Sequence, residues 1–206
     1  LRPFNPDTGA NFVKNPGYIE GNAWQYTFMV PHDIKGLIDL MGGGQSFVRQ
    51  LDKVFNNNQF DMANEPDIAY PFLYNFVKGV EWKTQKRVRE LLDTYFKNSP
   101  DGLPGNDDTG TMSAWAVFSM MGLYPVTPSL PVYAVTSPSF SEIEIRLDPR
   151  YYPNETLTIR SNIPEDNTFI DSVSLDGSSL SRFFISHEDL VNSKELIFLL
   201  KAINSK

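Results

Sequence analysis

Apolar residues recur at helical spacing up to residue 122 and at alternating positions after residue 131. The clearest helical segment covers residues 47–55, where Phe47, Leu51 and Val54 fall on one stripe and the charged residues lie largely outside it. The segment 68–77 is apolar on most sides, so we expect it to be buried. This periodicity predicts about six helices, at residues 22–30, 32–41, 47–55, 68–77, 82–96 and 111–122.

After Pro131 the apolar period becomes two, which is typical of strands with one buried face. Residues 143–147 show the alternation well, and Asp176-Gly177 is a two-residue hairpin signal between apolar segments. The pattern predicts a small antiparallel sheet of about five strands. The fold class is therefore mainly α with a C-terminal β segment. Six helices in antiparallel hairpins would form half of a double-ring helical barrel, so we expect a fragment of a larger enzyme.

Composition excludes several classes of function. The net charge is −7 and no run of Lys and Arg occurs, which argues against a nucleic-acid partner. No apolar run reaches membrane-spanning length. The chain has no cysteine, so disulfides, thiolate metal sites and cysteine nucleophiles are excluded. The aromatic content of 13% fits a sugar-binding cleft, whose rings stack on sugar faces, and fits a large helical core equally well.

Polar residues cluster in loops that precede three of the predicted helices: Glu20-Gly21-Asn22, Asn64-Glu65-Pro66-Asp67 and Gly105-Asn106-Asp107-Asp108. In a helical ring such loops converge at one end, so we expect them to meet in one pocket. Paired carboxylates are the acid and base of glycoside hydrolysis, and oxygen-rich loops also suit calcium. Acidic residues near helix N-termini favour the helix dipole whatever the function. Spacing alone leaves the capping and catalytic interpretations open.

An ordered set of motifs across residues 18–128 resembles the catalytic module of glycoside hydrolase family 92. The set is specific because the motifs occur in order over this long stretch, whereas the C-terminal strands resemble the family's closing segment more loosely. The motifs are Glu20-Gly21-Asn22-Ala23-Trp24-Gln25-Tyr26-Thr27, Val30-Pro31-His32-Asp33, Asn64-Glu65-Pro66, Trp82-Lys83-Thr84-Gln85, Gly105-Asn106-Asp107-Asp108 with Met112-Ser113-Ala114-Trp115, and Gly122-Leu123-Tyr124-Pro125-Val126.

The resemblance implies a calcium-dependent, inverting exo-α-mannosidase with an N-terminal β-sandwich and an (α/α)6 barrel. Residues 1–130 would be the C-terminal half of that barrel, and residues 131–206 a β segment packed on the barrel or on the missing β-sandwich. Glu20 would be the general acid and Asp108 the general base that activates water. The family's calcium binds the mannose O2 and O3 hydroxyls and helps distort the ring.

Further roles follow from the same resemblance. Asp107 would be the second acid of the catalytic pair, in a supporting or capping role, and some family members carry an acid at the position of Asn106. Asn64 and Asp108 would bind calcium. The substrate-binding residues would be Trp24, Gln25, Glu65 and Asn106, with Trp24 equally suited to the core.

The sequence thus predicts part of an enzyme that removes terminal α-mannose from N-glycans or mannans. We expect an α-mannoside oligosaccharide as substrate, Ca²⁺ as cofactor, and the N-terminal β-sandwich and remaining barrel helices of the same enzyme as partners. The absence of cysteine together with the scarcity of glycosylation sequons favours a bacterial protein that is secreted, periplasmic or on the cell surface. The alternatives are a catalytically inert carbohydrate-binding or scaffold fragment and a different helical-barrel glycosidase.

Overall fold

A computed structural model of the chain describes residue 18 and residues 21–162 and 168–202. Helices dominate as far as residue 121, and strands dominate after it. The helices are α1 (Ala23–Thr27), α2 (Ile34–Leu40), α3 (Gly44–Asn56), a 3-10 helix (Tyr70–Phe76), α4 (Trp82–Tyr95), a short 3-10 turn (Asp108–Gly110), α5 (Thr111–Met121) and α6 (His187–Asn192). The predicted order of a helical part followed by a β part is confirmed.

The strands form two sheets within the described residues. β1 (Leu123–Tyr124), β2 (Val132–Val135) and β7 (Phe184–Ser186) make a three-stranded antiparallel sheet in that order. The larger sheet has the order β3-β4-β8-β5-β6. Its strands are β3 (Glu142–Arg146), β4 (Thr156–Ser161), β5 (Thr168–Leu175), β6 (Ser178–Ser179) and β8 (Glu195–Ala202).

The prediction of a purely antiparallel sheet is wrong, because β4 and β8 pair in parallel. β8 lies between β4 and β5 and is antiparallel to β5. β4 and β5 therefore run in opposite directions, and any strand inserted between them must be parallel to one of the two. The apolar alternation along a strand predicts its buried face and contains no information about its neighbours.

The predicted fourth helix is a 3-10 helix that begins at Tyr70, two residues later than expected. Pro71 occupies its first turn, and every residue from Tyr70 to Asn75 is buried. The predicted burial of this segment is confirmed, but its helix type is not. Turns occupy residues 62–69, so the helical pattern of the sequence begins inside a loop.

Local signals were more reliable. Asn22, a residue type that favours the N-cap position, caps α1, since its Oδ1 accepts hydrogen bonds from the backbone N–H groups of Trp24 (2.9 Å) and Gln25 (3.2 Å). The Asp176-Gly177 hairpin is also confirmed. These two residues have φ of 45° and 79°, the left-handed values that a tight two-residue hairpin requires, and they join β5 to β6.

Two apolar cores fill the chain, and β2 contributes to both. The helical core contains Phe28, Phe47, Leu51 and Trp115 and reaches Ala134 of β2. The sheet core is built on one face of the larger sheet and includes the next residue, Val135. Successive residues of a strand point to opposite sides, so β2 is the layer between the two cores.

The opposite face of the larger sheet is polar. Arg160 of β4 pairs there with Glu142 of β3 and with Glu195 of β8. Within the described residues, no helix is long and apolar enough to cross a membrane.

Candidate active site

The middle one of the three polar loops contacts the other two. A β-carbon placed on Gly105 would lie 2.7 Å from Cβ of Ala63, which shows how closely the third loop approaches the second. A β-carbon on Gly21 would lie 3.4 Å from Nδ2 of Asn64, so the first loop also approaches the second. The loop around Asn64 therefore lies between the other two.

The loop that carries the paired acids is strained. Gly105 and Gly110 have φ of 61° and 79°, values that glycine adopts at little cost. Thr109 lies between them with φ of 52°, which is unfavourable for a β-branched residue. Its hydroxyl and that of Thr111 both donate to the backbone oxygen of Asp108 at 2.7 Å. This conformation is held by several local hydrogen bonds, as strained functional loops are.

The two adjacent carboxylates differ in what they contact. Asp107 accepts hydrogen bonds from the hydroxyl of Ser113 at 2.6 Å and from its backbone N–H at 3.0 Å. These two hydrogen bonds hold the pKa of Asp107 below its usual range, and the bond from the Ser113 hydroxyl has the larger effect. Asp107 thus accepts from the N–H of the third residue of α5, whose N-cap is Gly110. Its supporting role in catalysis stays a prediction. The carboxylate of Asp108 is exposed and makes no hydrogen bond within the described part of the chain.

The middle loop is closed by two acids that flank it. Oδ2 of Asp67 accepts from the backbone N–H of Asp61 at 2.9 Å, and Oδ1 of Asp61 accepts from the backbone N–H of Ala63 at 2.8 Å. Asp67 is fully buried, and its Oδ1 has no hydrogen-bond partner among the described residues. Burial raises the pKa of Asp67 well above its usual range, and the negative charge of Asp61 acts in the same direction.

Neighbouring elements are tied to this loop by buried side chains. The hydroxyl of Tyr70 donates to the backbone oxygen of Gln25 at 2.8 Å and accepts from the N–H of Phe28 at 2.9 Å, which attaches α1 to the 3-10 helix. Nε1 of Trp115 donates to the backbone oxygen of Ile68 at 2.9 Å, which attaches α5 to the same segment. Trp115 is buried.

The predicted substrate-binding residues fall into two groups. Gln25 is buried, and its Oε1 accepts from the backbone N–H of Asn22 at 3.0 Å to complete a capping box. Trp24 is half-buried and packs against the helical core, in line with its core interpretation. Glu65 and Asn106 are exposed on the loops. Their roles toward substrate stay predictions.

An apolar cavity of about 190 Å³ opens beside the middle loop. Glu65 and Pro66 lie on its wall together with Phe28, Met29 and Tyr124. The cavity gives Glu65 an apolar neighbourhood on one side and solvent on the other.

The described residues do not include the predicted general acid, and they supply only part of a calcium site. Glu20, the predicted general acid, lies outside the described residues. The described residues also contain no group of three or more His, Asp and Glu side chains that could hold a metal ion. Asn64 and Asp108 supply oxygen donors, the type that calcium requires, but calcium takes about six to eight of them. These residues fit part of a calcium site only.

Sequence reasoning missed Asp61, Ala63 and Tyr70, and it gave Asp67 no role. Asp61 and Asp67 stand on either side of Asn64-Glu65-Pro66. Their placement on both sides of this motif was the signal, yet acids in loops are usually solvated, so it does not identify a buried carboxyl group.

Comparison with known proteins identifies the family. The model of the glycosyl hydrolase family 92 catalytic domain matches residues 1–202. A protein of Arthroderma benhamiae, named an uncharacterized secreted glycosidase, is 34% identical over 180 residues, which are 86% of this chain and 23% of that protein.

Solved structures agree. The family GH92 α-mannosidase BT3965 of Bacteroides thetaiotaomicron, in complex with mannoimidazole, matches with a TM-score of 0.82 and 28% identity, over 98% of this chain and 28% of that one. The family GH92 inverting mannosidase BT2199 of the same organism matches with a TM-score of 0.80 and 28% identity, over 97% and 30%. The chain spans between 23% and 30% of the length of these relatives. It belongs to glycosyl hydrolase family 92.

Proposed function

We propose that the chain is the C-terminal part of the catalytic module of an inverting exo-α-mannosidase, with Asp108 as the general base. The observation that carries this proposal is the difference between the paired acids. The carboxylate of Asp107 accepts hydrogen bonds from Ser113, whereas the carboxylate of Asp108 is exposed and free of hydrogen bonds within the described residues. A general base needs a free carboxylate beside the reacting water.

Glu20 is the proposed general acid. It precedes Gly21, and Gly21 lies against Asn64 in the middle loop. Glu20 would protonate the glycosidic oxygen, so that the leaving sugar departs as an alcohol, while Asp108 removes a proton from the attacking water. Attack from the opposite face gives β-mannose as the first product. The two carboxyl groups of an inverting enzyme stand roughly 6.5–9.5 Å apart, which leaves room for that water.

The names of the relatives support the choice of substrate. Two matching structures are named as mannosidases, one of them inverting, and the fungal relative is named as a secreted glycosidase. We therefore propose terminal α-mannosides of N-glycans or mannans as substrates, and a secreted, periplasmic or cell-surface location.

Calcium is proposed as the cofactor, with Asn64 and Asp108 among its ligands. Both supply oxygen donors on loops that lie together. When bound, the ion would hold two mannose hydroxyls and favour a distorted ring. The remaining ligands would have to come from substrate, water, other residues or the rest of the enzyme.

The helical surface supports the proposal that further helices complete a barrel. α5 contains no charged residue, and a helix that is apolar on all sides is normally buried. Ala114 is nevertheless exposed, and Val117 is 53% exposed. Helices from the rest of the enzyme would cover this face. The same observation is compatible with the second candidate, a catalytically inert carbohydrate-binding or scaffold fragment.

The test uses the longest reading frame that contains this chain. Asp108→Asn should lower kcat on α-mannobiose by about 10²–10⁴-fold, the usual contribution of a general base. Ser141→Ala, an exposed change on the β segment, is the matched control and should leave kcat unchanged. Wild-type kcat in the Asp108 variant would refute the assignment.

A second experiment separates enzyme from inert fragment. Proton NMR of the reaction should detect β-mannose before its anomer, and α-mannose first would refute inversion. Glu20→Gln should abolish cleavage of α-mannobiose but largely spare a nitrophenyl mannoside, whose leaving group needs no proton. Absence of mannose release by the complete enzyme would favour the inert carbohydrate-binding or scaffold candidate, whereas release that a calcium chelator abolishes would exclude it.

A further inference from the structure

We infer that Asp67 is a positioning residue that aligns the three catalytic loops through hydrogen bonds to the turn at residues 61–64. The catalytic consequence of this inference rests on the proposed function. The structural basis of the inference is independent of that function, because it concerns which side chains hold the loops together.

The first step is the closed ring of hydrogen bonds around the middle loop. Asp67 accepts from the backbone N–H of Asp61 at 2.9 Å through its carboxyl group, and its own N–H donates to the backbone oxygen of Asn64 at 3.4 Å. Asp61 in turn accepts from Ala63 at 2.8 Å through its side chain and from the N–H of Asn64 at 3.2 Å through its backbone oxygen. The conformation of residues 61–67 therefore depends on two carboxyl groups.

The second step is that two residues of this hydrogen-bonded turn also contact the neighbouring loops. Ala63 faces Gly105, at a separation that excludes a β-carbon, and Asn64 faces Gly21. A shift of the turn would move both contacts at once. The proposed acid precedes Gly21 in the sequence, and the proposed base follows Gly105, so a shift of the turn would move the contact points of both loops.

The third step is burial. Asp67 is fully buried in the turn, and the Tyr70 N–H donates to its backbone oxygen at 2.9 Å. A buried carboxyl group that bonds a backbone N–H cannot be replaced by water without rearrangement. Asp67 thus has a structural reason to be an acid or amide, although it does not contact the reacting atoms in this proposal.

The experiment compares Asp67→Ala with Asp67→Asn in the complete enzyme. The alanine variant removes the acceptor for the Asp61 N–H, and kcat should fall by roughly 10–10²-fold, as expected for a displacement of about 1 Å in catalytic geometry. The asparagine variant keeps an acceptor of the same size and should restore most of the lost kcat. Both are assayed well below their melting temperatures.

The matched control is Asp176→Ala in the β5–β6 hairpin. Asp176 also accepts backbone hydrogen bonds through its carboxylate, from Lys194 at 3.0 Å and Glu195 at 2.9 Å, but at a distant turn. This variant should lose stability and keep the wild-type kcat. A kcat for Asp67→Ala equal to that of Asp176→Ala would overturn the inference, as would an Asp67→Asn variant no better than Asp67→Ala.

Hydrogen exchange provides a readout that needs no substrate. In Asp67→Ala, amide exchange should accelerate at residues 61–64 and also at residues 105–110. Unchanged exchange at 105–110 would overturn the inference even in an inactive protein, whereas a wild-type enzyme that releases no mannose would refute only the proposed function. If Asp67→Ala fails to fold, Asp61→Ala removes the Ala63 bond alone and should produce the same pattern with a smaller loss of kcat.

Discussion

Gly105→Ala is the substitution whose effect the structure determines most directly. The new β-carbon would lie 2.7 Å from Cβ of Ala63 and 3.1 Å from its backbone oxygen. Carbon atoms normally approach to about 3.5–4.0 Å, so the two loops would have to separate by close to 1 Å. Gly105 also has φ of 61°, where alanine is disfavoured.

Two terms give the expected size of the effect. The left-handed backbone costs about 1–2 kcal/mol once a β-carbon is present. Overpacking adds about 1–3 kcal/mol if the neighbour cannot move. Gly105→Ala should therefore lower the free energy of unfolding by about 2–5 kcal/mol, out of the 5–15 kcal/mol typical of a folded domain.

Glycines elsewhere in the chain supply the controls. Gly177 has φ of 79° and open space within 4 Å of where a β-carbon would stand, so Gly177→Ala carries the backbone cost alone. Gly110, also with φ of 79° and open space, provides the same control inside the catalytic loop. Ala63→Gly combined with Gly105→Ala removes the β-carbon clash and should recover part of the loss, within the roughly 0.5–3 kcal/mol seen for coupled neighbours.

The assay is urea unfolding of each variant, followed by mannose release from the complete enzyme. Gly105→Ala should be more destabilised than Gly177→Ala, and its kcat should fall because the acid and base loops separate. If Gly105→Ala and Gly177→Ala lose equal stability, the close contact between the loops is refuted. If the double variant shows no coupling, Ala63 is not the residue that limits the space.

Three further predictions concern buried groups and the cofactor. Burial, with the negative charge of Asp61 nearby, raises the pKa of Asp67 in the folded state. The stabilising contribution of protonated Asp67 should therefore be complete below about pH 4 and should be lost as pH rises through the folded-state pKa. In calcium-free buffer, the wild-type protein should lose stability relative to Asp67→Asn over that pH range, and parallel pH profiles of the two proteins would contradict this. Tyr70→Phe should lower the free energy of unfolding by about 1–3 kcal/mol, because it removes the hydroxyl that bonds the backbone oxygen of Gln25 and the N–H of Phe28. The exposed Tyr95→Phe should change it by less than about 0.5 kcal/mol. Chelation should abolish mannose release and added Ca²⁺ should restore it, and full activity after exhaustive removal of calcium would refute the cofactor assignment.

The sequence predicted the elements whose stability is local. The stripe through Phe47 and Leu51 predicted a helix at 47–55, and α3 spans Gly44–Asn56. The segment 82–96 likewise corresponds to α4, Trp82–Tyr95. In both cases the amphipathic period alone specifies a helix. At Tyr70–Phe76 the residues are buried on all sides, so the period does not distinguish an α-helix from the 3-10 helix that formed.

The candidate site was predictable only as far as its loops. The positions of the loops before helices indicated that they lie close together, and the contacts of Gly21 and Gly105 place the middle loop against the other two. That all three share one pocket stays a prediction. The sequence does not show which of the two adjacent acids lacks a hydrogen-bond partner, because the donor to Asp107 is Ser113, six residues later. The burial of Asp67 depends in the same way on the fold around it.

The order of the larger sheet places its central strand at the end of the described chain. β8 joins β4 to β5, yet it is synthesised after both, and its partners begin pairing with it only when residues 195–202 have left the ribosome. Until then β4 and β5 present open hydrogen-bonding edges, which favour association with other chains. A stop codon before residue 195 would therefore expose both edges permanently. Such a product should aggregate during expression, although every proposed catalytic residue precedes the truncation.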